Sequence, residues 1–84
     1  MSLEDLDFEV ARGLACVWFG VLVEDLIFDL SAQDGGGWVA SARRSCDSPS
    51  KAIQSFGYES PSEALRLFAF NVAEDIRVSK YYPT

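Results

Sequence analysis

The hydrophobic pattern along the chain changes period several times, and each change marks an element. Ser2 with Asp5 offers a helix start, and Leu3, Leu6, Val10 and Leu14 recur at helical spacing, which predicts a helix over 3–12 ending near Gly13. The run Ala15 to Val23 is rich in β-branched and aromatic residues and apolar on both parities. It reads as a buried strand, with continuation of the first helix as the rival reading. Leu26, Phe28 and Leu30 then alternate with Ile27, Asp29 and Ser31, and Trp38, Ala40 and Ala42 with Val39, Ser41 and Arg43. Asp34-Gly35-Gly36-Gly37 lies between them, so a hairpin of about 26–33 and 38–44 is expected. Ala52 to Phe56 reads as a further short strand released by Gly57.

Ser60-Pro61-Ser62-Glu63 combines an N-cap serine, a proline at the first helical position and a glutamate three residues after the cap. Behind it Leu65, Phe68, Ala69, Val72 and Ile76 form one stripe, predicting a helix from 61 to about 78, and Leu67 and Phe70 widen its apolar arc. The expected fold class is α+β. It is a small single domain, 1–84, with an N-terminal helix, an antiparallel three- to four-stranded sheet, and a C-terminal helix packed on one face. A chain of 84 residues buries about 63% of its unfolded surface, enough for one thin core.

Thirteen acidic residues against seven basic ones give a net charge of −6. Such a balance repels phosphate backbones and argues against direct nucleic-acid binding. The charge is uneven: Glu4, Asp5, Asp7, Glu9, Glu24, Asp25, Asp29 and Asp34 stand against Arg12 alone in the first 34 residues. That pattern suits a face that meets a basic partner, and Glu4, Asp5, Asp7, Glu9, Glu24 and Asp25 are the candidate contact residues. Its bland counterpart is a solvated surface that confers solubility. Arg43, Arg44 and Lys51 form one short basic cluster, read as strand-end charges paired with neighbouring acids.

The sequence holds no histidine, which removes Ser-His-Asp and Cys-His mechanisms and most zinc sites. Gly35-Gly36-Gly37 matches no phosphate-binding fingerprint and precedes a strand. The acid pairs have no Ca²⁺-loop spacing. No catalytic residue, metal or cofactor is expected, so the chain reads as non-enzymatic. Cys16 and Cys46, 30 positions apart, fit neither metal nor redox spacing, and a reduced, cytoplasmic chain is the simpler expectation. The acids near the start oppose a signal or transit peptide, and the ten-residue apolar run Leu14 to Val23 is about half of what spans a bilayer. No membrane association is expected.

From Asp34 onward, Gly-Gly-Gly-Trp-Val-Ala-Ser, then Ala52-Ile53 and Gly57-Tyr58-Glu59-Ser60-Pro61-Ser62-Glu63-Ala64-Leu65, resembles the HicB-type antitoxin domain. The likeness spans residues 34–76, about half the chain. It implies a β-hairpin sheet backed by the C-terminal helix and a role as a small acidic neutraliser of another protein. Two functional expectations follow. The first is an inhibitor of the antitoxin, toxin-immunity or phage counter-defence kind acting on a basic protein. The second is an obligate homodimer or assembly subunit, with Phe68, Phe70, Tyr81 and Tyr82 buried between protomers and the acids serving solubility.

Overall fold

A computed structural model describes residues 3–81, with side chains from residue 5 to residue 79. Helix α1 (Leu3–Phe19) leads through a short 3-10 turn (Val23–Asp25) into strands β1 (Leu26–Ala32) and β2 (Trp38–Arg44). A second 3-10 turn (Pro49–Lys51) precedes β3 (Ile53–Gly57), and α2 (Pro61–Tyr81) follows. The strands form one antiparallel sheet in the order β1-β2-β3, with Phe28 opposite Ala42 and Ala40 opposite Ser55. The α+β architecture is the one expected from the sequence, with three strands.

The expected strand at 15–23 is not formed. Helix α1 runs through Gly13 and ends at Gly20, whose φ of +68° places it in the left-handed region. The Val21 N–H donates to Cys16 O at 3.1 Å and the Gly20 N–H to Val17 O at 3.3 Å, the paired bonds of a Schellman C-cap. The reason lies in the second face of the helix. Ala11 and Ala15 are fully buried, and Phe8, Leu14 and Phe19 pack on the same core. That stripe continues at helical spacing across Gly13 and outweighs the β-branched composition of the run. The stripe through Leu6 and Val10 therefore faces out, each residue about half exposed.

The core is small-sided: Ala11, Ala15, Ala40, Ala42 and Ala64 surround Leu65, Phe68 and Val72. Small residues let helices and sheet approach closely, and three aromatic rings lock the layers together. Phe8 of α1 meets Phe28 of β1 edge-on at 4.9 Å between centroids, and Phe28 meets Phe68 of α2 at 5.2 Å. Such pairs add about 1 kcal/mol each beyond their burial. Phe68, expected at a protomer interface, is 1% exposed and belongs to this core. The buried Ser55 hydroxyl accepts a hydrogen bond from Asn71 Nδ2 at 3.3 Å, so the seam between β3 and α2 leaves no polar side-chain atom stranded among the described residues.

The capped start of α2 forms as expected, with one difference. Ser60 Oγ accepts from the Glu63 N–H at 3.1 Å, but Glu63 Oε1 reaches past Ser60 to accept from the Tyr58 N–H at 2.7 Å. The side chain thereby ties the helix to the end of β3. Gly57 makes this closeness possible, because a Cβ there would overlap the Ala64 nitrogen and stand 2.9 Å from its Cα.

Candidate functional site

The six acidic residues expected to meet a partner fall into two groups at opposite ends of α1. Asp5, Asp7 and Glu9 lie on its first turns, where the side chain of Glu4 is outside the described residues. Glu24 and Asp25 lie in the 3-10 turn beyond its far end. The helix between Asp5 and Phe19 spans about 21 Å, so these residues do not share one patch. Some are also already engaged. Asp7 accepts from Arg66 Nε at 3.1 Å, tying α1 to α2, and Glu9 pairs with Arg12, whose guanidinium lies 5.8 Å from the Phe8 ring centroid.

Glu24 and Asp25 are exposed, and their side chains make no ion pair or hydrogen bond among the described residues. The same holds for Asp29 on the outer face of β1 and Asp34 in the hairpin turn. These four acids run along one edge of the sheet from before β1 to beyond it. Reading acids by proximity in sequence separated Asp29 and Asp34 from Glu24 and Asp25. The strand alternation and the glycine turn would have placed them along one hairpin arm.

The basic cluster behaves as strand-end charge. Arg44 donates to both carboxylate oxygens of Asp47, at 2.9 and 3.0 Å, and Arg43 donates to Asp47 O at 2.7 Å. The Arg44 bond and charge hold the Asp47 carboxyl below its ordinary range and raise Arg44 above its own. Arg77 does the same to Glu74.

Of the residues expected at a self-association surface, Phe70 is 63% exposed, the side chain of Tyr81 is not described, and Tyr82 lies outside the described residues. Phe70 and Leu67 line an open groove at the start of α2 with Glu59, Ser60, Glu63 and Arg66. Its polar groups are largely committed: Ser60 and Glu63 cap the helix, and Arg66 holds Asp7. On α1, Leu6, Val10 and Val17 form a second outward apolar stripe, followed by Leu22 and Val23. Sequence reading missed this stripe as surface because its spacing suits a core face equally well. Both cysteine thiols are free, and among the described residues no three Cys, Asp or Glu side chains converge as metal ligands would. No described helix is long and apolar enough to cross a membrane.

Fold and surface together define the class: a two-layer α+β protein with two helices on one face of a three-stranded sheet and an acidic open edge. In comparisons with known proteins, no family model matches the chain, and no curated protein or solved structure matches it.

Proposed function

We propose that the chain is a small cytoplasmic, non-enzymatic binding module that neutralises a basic protein partner, in the manner of an antitoxin, an immunity protein or a phage counter-defence inhibitor. The observation that carries this reading is the line of exposed, uncommitted carboxylates Glu24, Asp25, Asp29 and Asp34 along the β1 side of the sheet. Charge held in no internal pair remains available to steer and hold a basic surface. The resemblance of residues 34–76 to HicB-type antitoxin domains points the same way. The carboxylates of Asp7 and Glu9 contribute less, being spent on Arg66 and Arg12.

The test is capture of the partner on the tagged protein at low and high salt, followed by titration of the identified species. A stoichiometric basic protein that dissociates as salt rises supports the proposal. Reversing Glu24, Asp25 and Asp29 to lysine is expected to weaken the complex at least about tenfold. Unchanged affinity overturns it.

The homodimer reading keeps one supporting observation, the outward stripe of Leu6, Val10 and Val17 on α1. Under it the mass in solution is twice that of one chain and indifferent to salt.

A further inference from the structure

The two edges of the sheet are not equivalent. At the two ends of the β1–β2 pair, the Gln33 N–H donates to Gly37 O at 3.0 Å and the Ser45 N–H to Asp25 O at 2.9 Å. Both pairs continue the β1–β2 register, and both involve odd-numbered residues on the β1 side. Bonded and non-bonded pairs alternate in an antiparallel ladder, so Ile27, Asp29 and Ser31 bond to β2. The N–H and C=O groups of Phe28, Leu30 and Ala32 therefore point away from β2, as does the C=O of Leu26, whose N–H is taken by Val23 O in the 3-10 turn, and no described strand lies beyond them. At the other edge β3 is shorter and packed closely on α2, and the Tyr58 N–H just past it is taken by Glu63.

We infer that β1 is a docking edge that accepts an extended segment of the partner as a fourth strand, the segment alternating basic and apolar residues. This rests on the proposed binding of a basic partner and specifies how it is held. Backbone bonding to Phe28, Leu30 and Ala32 supplies the template. The alternation follows from the two faces of β1. On the outer face the added strand meets Asp29, flanked by Glu24, Asp25 and Asp34, which calls for lysine or arginine. On the inner face it adjoins Leu26, Phe28 and Leu30, each partly buried against the core, which calls for apolar residues. The same charges disfavour a second copy as the occupant. Antiparallel pairing of two β1 strands in full overlap sets Asp29 against Asp29 and Glu24 against Asp34, and like charges directly opposite are destabilising.

Two capped synthetic heptapeptides test this by amide hydrogen exchange at low salt, one alternating lysine and valine, the other with proline for each valine. They carry equal charge, but the second cannot donate a strand ladder. The lysine–valine peptide is expected to slow exchange at Phe28, Leu30 and Ala32 at least about tenfold, and the proline peptide to leave them unprotected. In Asp29→Lys, whose fold is checked by circular dichroism, the affinity for the lysine–valine peptide is expected to fall about tenfold. If both peptides bind in a salt-sensitive way without protecting those amides, strand addition is overturned and the basic-partner reading survives. Failure of both to bind overturns the two together. Protection of the three amides in the free protein, at the mass of a dimer, overturns the inference in favour of self-pairing.

Discussion

Three glycines with different surroundings call for three different responses to the same added methyl group. Gly13 lies within α1, and a Cβ there meets nothing, so Gly13→Ala exchanges the least favourable non-proline helix residue for the best one. It is expected to raise stability by about 1 kcal/mol. At Gly20 the φ of +68° is one that L side chains rarely adopt, and Gly20→Ala is expected to lower stability by about 1 kcal/mol. Gly57 has an ordinary φ but no room beside Ala64, so Gly57→Ala forces β3 and α2 apart and is expected to lower stability by about 3 kcal/mol. Urea unfolding of the three variants checks the set. A loss at Gly13 would mean that the helix breaks there, as the glycine alone suggests, and not at Gly20.

At the scale of elements, what could be read from the sequence was what local chemistry determines. The hairpin shows through its period of two and its glycine turn, and α2 through Ser60 and Glu63, because these signals lie within a few residues of the structure they specify. The far end of α1 was hidden for a tertiary reason. Its core face is made of Ala11 and Ala15, too small to weigh in a hydrophobic pattern, while Leu6, Val10 and Val17 mark a face that stays outside. The candidate site suffered likewise, since sequence proximity grouped acids that α1 holds at opposite ends and omitted Asp29 and Asp34. A local ion pair gives the turn after β2 its pH dependence. Arg44 holds the Asp47 carboxyl below its ordinary value, so the folded state binds that proton less readily than the unfolded chain does. The contribution is complete above the ordinary carboxylate range and is lost as pH falls through the depressed folded value. Asp47→Asn is expected to lower the melting temperature at neutral pH and to flatten its decline on acidification between about pH 5 and 3. A decline as steep as that of the parent protein would remove the pair from the acid response.

For the whole molecule, charge and apolar surface act against each other. A net charge of −6 on 84 residues keeps copies apart, while α1 turns Leu6, Val10 and Val17 outward, with Leu22 and Val23 following and Phe70 exposed on α2. At neutral pH and low salt, repulsion is expected to win and light scattering to report a single chain. As pH falls toward the isoelectric point near 4.3, carboxylates protonate, the net charge vanishes, and the outward stripe becomes free to pair. Asp47 and Glu74 are held below their own ordinary values by Arg44 and Arg77, so these two pairs persist further into acid than they would without their arginines. Association near pH 4.5 without loss of the circular dichroism signal is therefore expected. Val10→Lys with Val17→Lys should suppress it, whereas Asp29→Lys, remote from the stripe, should not. Association at neutral pH and low salt, abolished by the same valine substitutions, would instead make α1 a standing interface between copies. The acids along β1 would then serve to keep that dimer in solution.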